Sequence, residues 1–267
     1  MNPIDVHLFE KAQNPYGAIK NVIAVMSGKG GVGKSSITAL LASALNRRGF
    51  KVAVLDADIT GPSIPKIFGI KEKAAVTGEA FVPPETALGI KIMSINLLLE
   101  NEEEPVIWRG PLITGTIKQF FEQVKWGDLD FLVVDQPPGT GDVPLTVMQS
   151  LPLTGLIIVS SPQQLVTLIV KKAIKMAGKM NIPILGLIEN FSYFECPDCK
   201  RKTEIFGKSR AEDVASETGI SLLGRLPILP ELAQMSDEGK IEAFESIVPG
   251  FFDEVVDNML AKAELRS

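Results

Sequence analysis

The sequence predicts an α/β protein: a doubly wound, mostly parallel sheet flanked by helices. Three observations predict it. Short apolar runs recur at 21–26, 51–56, 130–135, 155–159 and 184–188, as expected of strands buried on both faces. Between them lie segments with apolar residues at helical spacing, or loops rich in Gly and Pro. The first run leads straight into a glycine-rich stretch and then a helix-like segment, 35–48.

That stretch reads Ser27-Gly28-Lys29-Gly30-Gly31-Val32-Gly33-Lys34-Ser35-Ser36, and residues 28–35 fit G-x-x-x-x-G-K-S/T. Glycines let successive backbone N–H groups turn inward and let a phosphate approach the main chain. The following helix adds the partial positive charge of its N-terminus. Gly28, Lys29, Gly30, Gly31, Val32, Gly33, Lys34, Ser35 and Ser36 are therefore expected to bind ATP. Lys34 is the expected catalytic contact to the β- and γ-phosphates, and the Ser35 hydroxyl the expected Mg²⁺ ligand. Lys29, on the loop alone, is equally a solvated lysine.

The 267 residues show no composition break, which suits one domain at 18–267 after an arm at 1–17. The arm is polar, with Pro3, Pro15 and Gly17, and holds the only histidine, His7, to which no role is assigned. Hydrophobic residues make up 45%, enough for a sizeable core, and the net charge of −5 argues against a nucleic-acid surface. No apolar run approaches the ~18 residues of a membrane span. Asp5, Glu10 and Lys11 break any signal-peptide pattern. A cytoplasmic protein with no membrane or nucleic-acid partner is expected.

The second strand, 51–56, leads into Asp56-Ala57-Asp58-Ile59-Thr60-Gly61-Pro62-Ser63-Ile64-Pro65. Carboxylates at the end of a parallel strand sit where such sheets bind ligands. One can hold a Mg²⁺ water shell and the other can orient an attacking water; either alone would also serve as a turn aspartate. The Gly and two prolines predict a non-helical switch loop. Residues 71–105 read as a small excursion with short strands at 81–82 and 90–95 and an acidic loop at 100–104. Trp108-Arg109-Gly110-Pro111 precedes a helix to about 124, and spacing favours packing for the Trp-Arg pair. The strand at 130–135 ends in Asp135, the acidic group near the metal that such a site needs. Gln136-Pro137-Pro138-Gly139-Thr140-Gly141-Asp142 follows as a rigid turn, suited to sensing hydrolysis.

A helix at 163–180 separates the strands at 155–159 and 184–188, with Leu165, Leu168, Ile169, Ala173, Met176 and Ala177 on a packing stripe. Asn190, at the end of the last of these strands, could read an adenine edge or cap a turn. Cys196 and Cys199, the only cysteines, form one C-x-x-C followed by an apparent turn at 200–203. Two thiolates supply half the ligands of a metal centre, and a second copy of the loop in a symmetric dimer completes it most simply. On spacing alone zinc and an iron–sulfur cluster weigh equally, with a redox dithiol behind them. A helix at 207–218, a strand near 220–226 and a closing helix at 250–265 finish the chain. The last carries Asp253, Glu254, Asp257 and Glu264 against Lys262 and Arg266; its charge suits core packing and not an anionic membrane.

Lys29 inside the phosphate loop resembles the deviant pattern of the MinD, ParA and nitrogenase iron-protein group. The five signatures taken together resemble the Mrp/ApbC-type ATPases, the iron–sulfur cluster carrier proteins: the phosphate loop, the 56–65 loop, Trp108-Arg109-Gly110-Pro111, the 135–142 turn and the 189–199 segment. The resemblance spans about 18–262. It implies a phosphate-loop NTPase of the SIMIBI type, a homodimer that binds Mg-ATP and holds a labile 4Fe–4S cluster between paired Cys196/Cys199 loops for transfer to apo iron–sulfur proteins. It tips the cysteine reading from zinc to iron–sulfur. It makes Lys29 act across the dimer, Asp135 the metal-side aspartate, Asp58 the catalytic carboxylate near the attacking water, and Asn190 the base contact. Gln136 departs from the usual Leu or Met, and Ser36 from the common Thr. The four-cysteine N-terminal segment of some eukaryotic relatives and the small N-terminal domain of many bacterial ones are not seen, so no second stable cluster is expected. The alternative is a MinD/ParA-like positioning ATPase with structural zinc. A reductase like the nitrogenase iron protein fits less well, because that group draws its cysteines from two separated places.

Overall fold

The run at 21–26 forms the middle of strand β1 (Ile19–Ser27), buried from Asn21 onward. The computed structural model describes residues 11–99 and 110–262. Helix α1 (Lys34–Arg47) follows the glycine loop, then β2 (Val52–Asp56), all five residues buried. The loop after β2 is shorter than the sequence suggests, because Ile64–Phe68 is a helix, α2, with Pro65 in its first turn. Proline is at home there, since its missing N–H would be unpaired anyway.

Strands β3 (Ala75–Thr77) and β4 (Ala80–Val82) pair as an antiparallel hairpin. Strand β5 (Lys91–Met93) corrects the reading of 71–105 as an excursion: it pairs parallel with β2 and forms an edge of the main sheet. The acidic loop, Trp108 and Arg109 lie outside the described residues, as does His7. Helix α3 (Gly110–Gln123), β6 (Leu129–Asp135), α4 (Asp142–Ser150), β7 (Gly155–Ser160), α5 (Gln164–Lys179) and β8 (Ile184–Glu189) come next. On α5, Ala173 and Ala177 are buried; the side chains of Leu165, Leu168 and Ile169 are outside the description. A small antiparallel hairpin, β9 (Phe194–Glu195) and β10 (Lys202–Thr203), precedes α6 (Ala211–Thr218) and β11 (Leu222–Arg225). Helices α7 (Pro230–Asp237), α8 (Phe244–Ile247) and α9 (Asp253–Lys262) close the described chain.

The main sheet has seven strands in the order β11-β8-β7-β1-β6-β2-β5, and every pairing is parallel. Strand β1 is central. The chain builds first to one side of it and then to the other, the doubly wound arrangement expected. This brings the loops after β1, β2, β6 and β8 to one end of the sheet, where ligands bind. On α9, Val255, Val256 and Met259 are buried, while Asp257 and Asp253 pair with Arg48 at 2.6 and 3.3 Å. The acidic face of α9 is thus tied to the end of α1, and the helix packs on the body as its charge implied. Among the described residues no helix is long and apolar enough to cross a membrane. Residues 11–14 are pinned too: Ala12 N–H donates to Ser150 O at 2.9 Å, and the Asn14 amide to Phe121 O and Val124 O at 2.7 and 2.8 Å.

Candidate functional site

The phosphate loop spans the end of β1 and the start of α1. Helix α1 has no acidic residue in its first turn and no side chain capping it, so its leading N–H groups remain for an anion. Gly33 has φ +79°, and a Cβ there would lie 2.3 Å from the Asn190 amide nitrogen; only glycine fits. A cleft of about 360 Å³ is lined by Gly30, Gly31, Gly33, Lys34, Ser35 and Ser36, together with Asp58 and, from α2 and α7, Lys66 and Asp237. Gly28, Lys29 and Val32 do not line it. Lys29 reaches away, hydrogen-bonding the Gln163 side chain before α5. The α2–α7 wall is close-packed: a Cβ on Gly69 would meet Gly239 O at 2.5 Å.

Beneath the loop lies a buried charge cluster. Asp56 and Asp135 are register partners on β2 and β6, so both carboxylates emerge at the same level. Asp135 receives Lys34 Nζ at 2.8 Å, Ser35 Oγ at 2.6 Å and Thr38 Oγ1 at 2.7 Å. Asp58 lies 3.8 Å from Lys34. Asp56 is pushed up to about 8, first by burial and then by the charge of Asp135; burial also raises Asp58. With Asp56 holding its proton, Asp58 and Asp135 thus outweigh one lysine. That excess of negative charge, with only oxygen donors, fits a hard divalent cation. Ser35 and Asp135 are the pair positioned to hold it. Asp56, expected beside them at the metal, is engaged by the chain that follows it. It does not line the cleft, and its oxygens accept from Asp58 N–H and Ile64 N–H, each at 3.2 Å, and from Ser94 Oγ at 3.1 Å. It braces the 57–64 segment that presents Asp58.

Thr38 and Ser94 escaped the sequence reading. Thr38 had a signal: it lies one helical turn beyond Lys34, on the same face. Ser94 had none, because it follows a strand only three residues long. After Asp135, Gln136 is fully buried, and among the described residues both its amide atoms are unpartnered. Gly139 N–H donates to Ser27 O at 2.8 Å, anchoring the turn to β1.

Strand β8 ends at Glu189, buried and contacted by Ser192 Oγ, with Arg225 Nε at 3.5 Å. Asn190 is turned onto the phosphate loop, not into the cleft. Its Nδ2 donates to Val32 O at 3.0 Å, and its buried Oδ1 has no partner among the described residues. Phe191 has φ +58°, a left-handed conformation that costs a bulky residue about 1 kcal/mol or more. The chain then enters the β9–β10 hairpin, whose tip carries the cysteines. Of the 200–203 segment, Lys200 and Arg201 belong to the turn and Lys202–Thr203 is the returning strand. Cys196 N–H donates to Arg201 O at 3.0 Å and Lys200 N–H to Cys196 O at 2.9 Å. Cys196 is half-buried and Cys199 exposed. The backbone N–H groups of Cys199 and Asp198 lower the Cys196 pKa, aided by the Cys199 side chain and Lys200. That favours the thiolate, the form that ligates metal. Arg225 also holds Glu204, beyond β10, at 3.8 Å, and Glu212 of α6 at 3.7 Å.

A parallel sheet with a lysine-bearing phosphate loop after its central strand, and an aspartate on the neighbouring strand bonded to that lysine and serine, defines a P-loop NTPase. The family described as "ParA: NUBPL iron-transfer P-loop NTPase" matches residues 18–260, and the chain belongs to it. It is 51% identical over 237 residues to the iron-sulfur cluster carrier protein of Clostridium perfringens, covering 86% of this chain and 83% of that protein. Against the protein of the same name from Methanocaldococcus jannaschii it is 50% identical over 231 residues, covering 86% and 80%. Among solved structures, a nucleotide-binding protein of Archaeoglobus fulgidus in complex with ADP, with Co, superposes with TM-score 0.79 at 47% identity, over 88% of this chain and 91% of that one. The Pyrococcus furiosus cell division ATPase MinD superposes at TM-score 0.66 and 21% identity, over 91% and 99%, a likeness of fold alone.

Proposed function

We propose that this chain is an ATP-binding and ATP-hydrolysing carrier that works as a homodimer, takes up an iron–sulfur cluster between the Cys196/Cys199 pairs of two copies, and passes it to apo iron–sulfur proteins. The observation that carries the reading is one chain presenting both a phosphate loop wired to Asp135 and a thiolate-favouring hairpin with only two thiols. The chain has only two cysteines, so a four-thiolate site calls for a second copy. The names of the relatives support the cargo, and the ADP complex of the 47%-identical protein supports the nucleotide.

In this reading residues 18–267 act as one ATPase domain behind an arm at 1–17, in the cytoplasm. The loop N–H groups from Gly28 to Ser36 and Lys34 hold the phosphates. Ser35 and Asp135 hold Mg²⁺, with Asp56 setting the second carboxylate, Asp58, beside the attacking water. Lys29, directed away from its own cleft, serves the facing subunit. Asn190 reaches the base once it leaves Val32 O. Mg²⁺ supplies charge neutralisation at the phosphates.

The test is cluster transfer. Protein reconstituted anaerobically is mixed with an apo 4Fe–4S enzyme whose activity requires a cluster, with and without Mg-ATP. Activation of the acceptor by wild type, and not by Cys199→Ser, is expected. No activation by reconstituted wild type would refute the carrier reading.

A further inference from the structure

Two adjacent residues, Asn190 and Phe191, join the phosphate loop to the cysteine hairpin. We infer that Phe191 is the positioning residue through which nucleotide in the loop alters the reactivity of Cys196 and Cys199. The inference rests on the reading of these two sites as one machine, and it names the link between them.

The contacts run without a gap. A Cβ on Gly33 would lie 3.3 Å from the tip of the Phe191 ring, so the ring rests against the loop residue that opens α1. Gly33 O in turn accepts the first helical bond, from Ile37 N–H at 3.0 Å. On the other side, Phe191 meets Phe206, with centroids 6.2 Å apart and planes at 53°. Phe206 lies just past β10 and is 42% exposed, and Phe191 is the one aromatic ring it meets among the described residues.

The backbone around Phe191 is held on both sides. Asn190 N–H donates to Ser160 O at 2.8 Å, and Ser192 N–H to Leu226 O at 2.9 Å. Between these fixed points Phe191 adopts its left-handed conformation. That turn aims its ring at the loop while the chain departs toward the hairpin. Uncommon backbone held in place by its surroundings is a feature of switching regions. The hairpin itself is lightly anchored. Its strands are two residues each, and among the described residues it is held by Ile228 N–H donating to Tyr193 O at 2.7 Å at its base, by the half-exposed Arg225–Glu204 pair at 3.8 Å and by Lys202 over the Tyr193 ring at 4.5 Å.

A phosphate bound by the loop fixes Gly33, and with it the Phe191 ring and the Phe206 that leans on it. An empty loop leaves that stack free to shift. Nucleotide therefore orders the hairpin and slows attack on its thiols, a coupling between sites carried by a physical contact.

The chain's only thiols are Cys196 and Cys199, so alkylation reports on the hairpin alone and needs no metal or cluster. Reduced, metal-free protein is treated with iodoacetamide with and without saturating Mg-ADP, at two protein concentrations, and the adducts are counted by mass. Mg-ADP is expected to slow wild-type alkylation by about fivefold or more at both concentrations. Phe206→Ala, which leaves the phosphate site untouched, and Phe191→Leu should both bring the ratio near one, and Phe206→Ala should keep wild-type affinity for Mg-ADP. A wild-type ratio near one overturns the inference. So does a ratio that survives in both variants, or one that appears only at the higher concentration, where self-association shields the thiols. Failure of the carrier reading shows elsewhere, as absence of iron and sulfide after reconstitution.

Discussion

Asp56 makes the fold itself sensitive to pH in a calculable direction. Its carboxyl is 1% exposed, faces Asp135 across neighbouring strands, and is raised from an ordinary 3.8 to about 8. Lys34 relieves it only in part, because the lysine sits on Asp135 at 2.8 Å. The folded chain therefore keeps a proton on Asp56 through a window, from about pH 4 to about pH 8, in which the unfolded chain has released it. With more protons bound to the folded state, stability falls as pH rises through that window. From pH 6 to pH 8 the loss from this one group is about 2 kcal/mol, and Asp58, raised in the same sense, adds to it. Urea unfolding of the nucleotide-free protein in EDTA, at pH 6, 7 and 8, measures the slope. Asp56→Asn carries no charge to lose, and it should remove most of the slope while leaving Asp58's part. Equal wild-type stability at pH 6 and 8, or an undiminished slope in Asp56→Asn, would refute the reasoning.

Other substitutions test other parts of the site. Gly33→Ala meets both a φ of +79° and the Asn190 amide at 2.3 Å; it should cost about 2 kcal/mol or more in thermal unfolding and abolish ADP binding by calorimetry, and an unshifted Tm would contradict the packing. Gln136→Leu removes a buried amide with no partner on either atom among the described residues and should gain about 1 kcal/mol in urea; a loss would mean that the amide has a partner in solution. Arg225→Met strips the cation from buried Glu189. Because Arg225 is itself partly exposed, the cost should be about 1–2 kcal/mol, and a neutral outcome would show that Glu189 is held by Ser192 alone.

What could be read from residues, and what could not, follows physical lines. The phosphate loop was legible because glycines followed by lysine and serine have few other uses between a strand and a helix. Strands β1, β2, β6, β7 and β8 were legible because burial on both faces leaves an unbroken apolar run. Strand β5 was read as a strand at 90–95 but not as part of the main sheet: three residues at a sheet edge carry too little pattern to say what they pair with. Helix α2 was hidden by Pro65, which reads as a breaker but occupies a first turn. The carboxylates were found by position, yet their division of labour was not, since nothing in the spacing says that Asp56 turns to Ile64 N–H and Ser94. Phe191 looked like one more aromatic near the cysteines. Its left-handed backbone and its seat on Gly33 depend on residues more than 150 positions apart, beyond any local pattern.

The most direct test of the central claim is iron, sulfide and zinc per chain on protein purified without oxygen, beside Cys196→Ser. About two iron and two sulfide per chain, absent from the variant, is the expected result, one 4Fe–4S cluster shared by two copies. Roughly half a zinc per chain with no sulfide would mean a structural metal bridge and would contradict the carrier account.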